Sequence, residues 1–233
     1  NIFDLDLKPW VVGIPIKKTS WGKIEVMTQK RYVNPEYREA YDPINHQRDE
    51  AVAGLLSKPG EDIVTCLLRE FEEECGAGKG FLPYRILGVD DRDLHDDDRQ
   101  ILALTSMEDY LQAREIFTKG APPDDKVWEN GRGDHTLRYQ PRLQNYQPLC
   151  IVENTGKPQH WIGPVFAVVV QPWWKPDYDN ADGEAGPARW WRPDQLLETM
   201  VDAPDLFMGP VIPAYELLCK KILAGNLSGK LPK

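Results

Sequence analysis

The chain has 233 residues, of which 41% are hydrophobic and 28% charged, an ordinary globular composition that excludes a wholly disordered protein. The formal charge of −9 disfavours broad nucleic-acid binding, because the phosphate backbone repels an acidic surface. Mean hydropathy is −0.52, and no apolar run approaches the roughly 18–20 residues of a membrane helix, so no membrane span is expected.

In chain order, Trp10 to Ile16 reads as a strand, with Ile24 to Gln29 as its hairpin partner. Residues 31–50 are polar, carry Pro35 and Pro43, and read as a loop or meander. Ala51 to Leu56 is a short apolar strand, and Pro59-Gly60 a turn. Asp62 to Cys75 reads as a helix that stops at Gly76, and Tyr84 to Val89 as another strand. The stretch from about 90 to 160 is long and punctuated by Pro and Gly. It reads as an insertion with structure of its own, including a helix over Met107 to Lys119. Trp161 to Gln171 is the most apolar strand, and Lys175 to Pro187 an acidic, Gly-containing loop. Ala188 to Arg192 is a strand, Pro193 to Met200 a helix, and Pro210 to Leu223 the last helix. Strands and helices mix without regular alternation, so the class is α+β with a mixed sheet, in one domain over 1–233. Cys66, Cys75, Cys150 and Cys219 form no CxxC pair and read as reduced thiols of an intracellular protein. The cytoplasm is the expected compartment. The first residue, Asn1, also fits an organelle protein whose leader has been removed.

The chemically informative segment is Arg69-Glu70-Phe71-Glu72-Glu73-Glu74-Cys75-Gly76-Ala77. At 100° per residue, Glu70, Glu73 and Glu74 share one arc of about 100°. Val64, Leu68, Phe71 and Cys75 form an apolar stripe about 130° away. One face can therefore pack while the other gathers three carboxylates. Each like-charge i,i+4 pair costs a few tenths of a kcal/mol, and more when partly buried. A hard divalent cation would offset that cost, because Mg²⁺ prefers carboxylate oxygens. Arg69 is placed to pair with one glutamate. A plain solvated helix face is the bland alternative.

The wider pattern resembles the Nudix box, Gly-x5-Glu-x7-Arg-Glu-U-x-Glu-Glu-x-Gly-U with U apolar. Glu61, Arg69, Glu70, Phe71, Glu73, Glu74, Gly76 and Ala77 match it, from Leu55 to Ala77. One position departs: Leu55 stands where the first glycine belongs, with Gly54 beside it. The resemblance implies an α/β/α sandwich around a mixed sheet. It implies hydrolysis of a nucleoside diphosphate linked to another moiety, with Mg²⁺ or Mn²⁺ as cofactor. Glu70, Glu73 and Glu74 would be metal ligands, with the Gly54 carbonyl as a further one. Glu61 would support the site, and Arg69 would orient a glutamate. The cations would neutralise pyrophosphate oxygens and lower the pKa of an attacking water.

In this family a base or extra ligand often comes from the loop before the closing strand, which here carries Asp179, Asp182 and Glu184. Glu184 is the first choice and Asp182 the second. ADP-ribose-type substrates stay open. Trp128, Tyr139, Trp161, Trp173 and Trp174 could stack a base, or could simply pack. Arg132, Arg138, Arg142, Lys157 and His160 tilt part of the insertion basic. His46, His95, His135 and His160 show no metal-ligand spacing, and Asp96-Asp97-Asp98 lacks the glycine and glutamate of a calcium loop. Two other readings stand beside the enzyme. One is a Nudix-fold binding or assembly protein using the insertion as a docking element. The other is an RNA 5′-end pyrophosphohydrolase, which the −9 charge disfavours. Family members often form homodimers.

Overall fold

The computed structural model describes residues 7–32, 46–55, 63–78, 81–89, 148–154, 160–227 and 230–232. Its strands are β1 (Leu7–Lys18), β2 (Ile24–Arg31), β3 (Asp49–Glu50), β4 (Val52–Leu55), β5 (Arg85–Ile86), β6 (Cys150–Asn154), β7 (His160–Val169) and β8 (Ala185–Trp191). Its α-helices are α1 (Ile63–Cys75), α2 (Pro193–Asp202) and α3 (Ile212–Leu223). The described strands form one sheet whose main path runs β3-β2-β1-β7-β5. In addition β4 pairs with β1, β6 with β7 and β8 with β2. The sheet is mixed: β1 lies parallel to β7, with Val12 opposite Val165 and Ile16 opposite Val169. The other pairings are antiparallel, including the β1–β2 hairpin.

The period-2 geometry of a strand sends alternate side chains to opposite faces. On β1, Val12, Ile14 and Ile16 enter one core together with Leu196 and Met200 of α2 and Tyr215 and Leu218 of α3. Val11 enters the other, with Met27, Phe166 and Val168 from the sheet and Ile63, Cys66, Leu67, Phe71 and Cys75 from α1. The sheet is thus covered by α1 on one face and by α2 and α3 on the other, the α/β/α arrangement expected. Tyr215, fully buried, stands within hydrogen-bond reach of the carbonyls of Met27 (3.0 Å) and Glu50 (3.1 Å), tying α3 to the sheet.

Gly13 sets how closely α1 approaches. A Cβ there would lie 2.7 Å from Leu67 Cδ1 and 2.8 Å from Phe71 Cε2. Gly13→Ala is expected to destabilise the fold by about 1–3 kcal/mol through overpacking. A urea midpoint equal to that of the wild type would refute this role.

The structure corrects three expectations. The strand expected over Tyr84–Val89 is only Arg85–Ile86. The chain turns at once, with Gly88 at φ 88° and Val89 N–H bonded to the Ile86 carbonyl. Cys150–Asn154 lies within the stretch assigned to the insertion, yet it is a strand of the main sheet, paired along β7. On α1 the buried face is wider than the expected stripe and rotated from it. Ile63, Cys66 and Leu67 are fully buried, whereas Val64 and Leu68 are only partly so. The expected helix over Met107–Lys119 and the turn at Pro59-Gly60 lie outside the described residues. All four cysteines are buried and none forms a disulfide. Among the described residues no helix is long and apolar enough to cross a membrane.

Candidate active site

The site is built where α1 lies over β4. Strand β4 alternates: Val52 packs under α1, whereas Ala53 and Leu55 join the opposite core. Gly54 therefore faces α1, and the Glu70 side chain lies against it. A Cβ on Gly54 would come within 1.8 Å of Glu70 Cδ. This explains the departure from the box pattern. The backbone needs a missing side chain at 54, not at 55, and Leu55 sends its own side chain to the far core.

Leu55 contributes through its carbonyl. Arg69 Nη2 donates to it at 3.1 Å, while Nη1 donates to Glu70 Oε1 at 2.5 Å and to Glu73 Oε2 at 2.7 Å. One guanidinium thus fixes two of the three carboxylates against the strand. Glu74 is turned inward and is 4% exposed. Its Oε2 accepts from Gln29 Nε2 at 2.7 Å and from the Ala53 N–H at 3.3 Å.

Burial dominates the electrostatics. Desolvation, only partly opposed by Arg69, pushes the Glu70 carboxyl up to about 7. Desolvation, with Glu50 and Glu70 nearby, holds Glu74 well above the usual carboxylate range. The Cys75 thiol is also pushed up by burial and by Glu74.

The acidic loop docks on the C-terminal end of α1. The Asp182 N–H donates to the Glu73 carbonyl (2.8 Å) and the Asp177 N–H to the Cys75 carbonyl (2.7 Å). These bonds satisfy terminal carbonyls that the helix leaves open. Gly76 ends the helix at φ +57°, as expected, and a Cβ there would lie 1.9 Å from the Asp177 carbonyl oxygen. The loop places Asp182 close enough to raise the Glu70 carboxyl. Glu184, the first choice from sequence, is exposed and donates its N–H to Asp182 Oδ1 at 2.9 Å.

Among the described residues, no three acidic, His or Cys side chains form a group that could hold a metal ion. The convergence expected from helical spacing is not reached: Arg69 holds Glu70 and Glu73, and Gln29 draws Glu74 inward. The donor chemistry still fits a hard divalent cation. The groups are carboxylates, two of them buried with the charged form disfavoured, and a divalent cation reverses that penalty.

Glu61, Trp128, Tyr139 and the basic residues Arg132, Arg138, Arg142 and Lys157 lie outside the described residues, as do the side chains of Trp161 and His160. Trp174 is packed against Phe71, Phe81 and Trp190. It serves the core beneath α1. Trp173 is 75% exposed. Sequence reasoning missed Gln29. Its one signal is a polar residue within a strand whose neighbours are buried on both faces.

Comparison with solved structures supplies the fold. The structure matches the crystal structure of a Nudix hydrolase from Alicyclobacillus acidocaldarius, with a TM-score of 0.50 and 15% identity over 98% of each chain. The chain has the Nudix hydrolase fold. It is also similar to the Nudix domain of Shewanella oneidensis NrtR, solved with ADP ribose (TM-score 0.49, 9% identity, 93% of this chain and 88% of that one). A third similar structure is a binary complex of the Caenorhabditis elegans Ap4A hydrolase (TM-score 0.47, 11% identity, 94% of this chain and 98% of that one). No family model and no curated protein matches the chain. Within this Nudix fold, Arg69, Glu70, Glu73 and Glu74 share one helix, with Gly54 facing it from β4.

Proposed function

We propose that the chain is a Mg²⁺- or Mn²⁺-dependent pyrophosphohydrolase acting on a nucleoside diphosphate linked to another moiety. The observation that carries this reading is the arrangement at Gly54. A carboxylate is buried against bare backbone, held by an arginine that also grips a second carboxylate and a strand carbonyl. A solvated helix face would not bury Glu70 and Glu74.

Glu70, Glu73 and Glu74 would hold the cation. Both hydrogen bonds described for Glu74 fall on Oε2, which leaves Oε1 as the oxygen to meet it. A divalent cation supplies charge neutralisation at a pyrophosphate and makes water more acidic. The chain's own groups do the rest. Arg69 fixes the glutamate rotamers, so little reorganisation is needed during reaction. Asp182, on a loop anchored to the helix end and near enough to raise the Glu70 carboxyl, would serve as proton acceptor ahead of Glu184.

The test is a panel of ADP-ribose, NADH, dinucleoside polyphosphates, nucleoside triphosphates and triphosphorylated RNA, each with Mn²⁺ or Mg²⁺. The wild type is expected to turn over at least one of them, and Glu73→Gln to lose that turnover by about 10²-fold or more. If wild type and Glu73→Gln were equally inert, the rival reading of a Nudix-fold binding protein would take its place.

A further inference from the structure

Gln29 is fully buried in the middle of β2, yet its partners all belong to the candidate site. Its Nε2 donates to Glu74 Oε2 at 2.7 Å. Its Oε1 accepts from the Tyr178 hydroxyl at 3.2 Å and from the Cys75 thiol at 3.4 Å. An amide has one donor end and one acceptor end, so this pattern fixes its orientation. Flipping it would set the amide oxygen against a carboxylate oxygen and the NH₂ against two donors. Tyr178 sits in a short 3-10 turn, Tyr178–Asn180, inside the loop that carries Asp182. The same loop is bonded to the end of α1 through Asp177 and Asp182. One buried amide therefore joins a box carboxylate to the acidic loop.

We propose that Gln29 and Tyr178 are a pair of positioning residues. Gln29 occupies Oε2 of Glu74, so that Oε1 is the oxygen offered to the cation, and Tyr178 locks the Gln29 amide in the orientation that does this. The pair also makes the placement of Asp182 depend on that of Glu74, since Tyr178 cannot reach Gln29 unless the loop is docked. This rests on the metal-dependent reading above. The rival explanation is that the amide merely satisfies buried polar groups, as any core hydrogen bond would. Thr28 offers the comparison. It is the next residue on the same strand, equally buried, and its Oγ1 accepts from Trp191 Nε1 at 2.8 Å on the opposite face of the sheet.

The experiment titrates Mn²⁺ by calorimetry into wild type, Gln29→Met, Tyr178→Phe and Thr28→Val, with melting temperatures measured on the same samples. Gln29→Met is expected to weaken Mn²⁺ binding about tenfold or more, the usual effect of removing a group that orients a metal ligand. Tyr178→Phe should weaken it in the same direction but less. Thr28→Val should lower the melting temperature and leave Mn²⁺ affinity at the wild-type value. Where turnover is measurable, Gln29→Met should need more Mn²⁺ for half-activation yet approach the wild-type rate at saturation. The proposal is overturned if Gln29→Met binds Mn²⁺ as the wild type does, or if Thr28→Val weakens binding equally. Should Gln29→Met not fold, wild-type affinity in Tyr178→Phe overturns it alone. A wild type that binds no Mn²⁺ overturns the functional reading itself, a result distinct from either.

Discussion

Glu70→Gln is expected to lower turnover by about 10²–10³-fold while leaving the protein as stable as the wild type, or more so, at pH 8. The two effects share one cause. Glu70 is 8% exposed, and burial lifts its carboxyl from an ordinary value near 4.5 to about 7. In the folded state this group holds its proton more tightly than in the unfolded chain. Its contribution is thus most favourable below pH 4.5 and is lost as the pH rises through 7. The full shift, with the attraction of Arg69 already included, corresponds to roughly 3 kcal/mol. A neutral amide of the same shape avoids that cost above pH 7, at the expense of the charge a cation needs. Melting curves of the metal-free proteins at pH 5 and pH 8 check the claim. The wild type should lose stability relative to Glu70→Gln between those pH values. Mn²⁺ should restore it at pH 8 in the wild type only. Parallel melting temperatures across that range would remove the buried charge from the account.

Gly54→Ala is the second large effect. The added methyl would fall 1.8 Å from Glu70 Cδ and 1.9 Å from Oε1, so the carboxylate must leave its place. The obstructing atoms are the end of a flexible side chain, so the fold should survive with a modest loss of stability. Arg69 would then lose the geometry in which it holds Glu70 and Glu73 together. Turnover and Mn²⁺ affinity should both fall by at least about tenfold, with cooperative unfolding preserved. Leu55→Gly, which restores the glycine of the box pattern, should not improve either quantity. The Leu55 side chain faces the opposite core, and only its carbonyl serves the site. Improved turnover in Leu55→Gly would show that the glycine is wanted at 55 after all.

The elements most legible in the sequence were those with a repeat and a stop signal. The helix over Ile63–Cys75 announced itself through its apolar spacing and Gly76, and the β1–β2 hairpin through its alternation. Side-chain burial on α1 was less legible. Helical arithmetic places Glu70 and Glu74 on an arc away from the apolar stripe, but a helix laid on a twisted sheet covers more than a stripe. The strand under it has a glycine where Glu70 needs room. The Cys150–Asn154 strand was hidden because the sequence around it reads as insertion, and its pairing is set by β7 rather than by local pattern. Gln29 was illegible for a similar reason. Nothing next to it in sequence explains a buried amide, since its partners lie 45, 46 and 149 residues away.

The parallel pairing of β1 with β7 joins Leu7–Lys18 to His160–Val169 along most of both strands. Contacts so distant along the chain close late, because the entropy of a long loop must be overcome before they form. The carboxylate helix rests on β1 and β4, and β1 lacks a neighbour on one side until β7 arrives. On the ribosome, then, the carboxylate helix and the two strands it rests on emerge well before β7 can close the far side of β1.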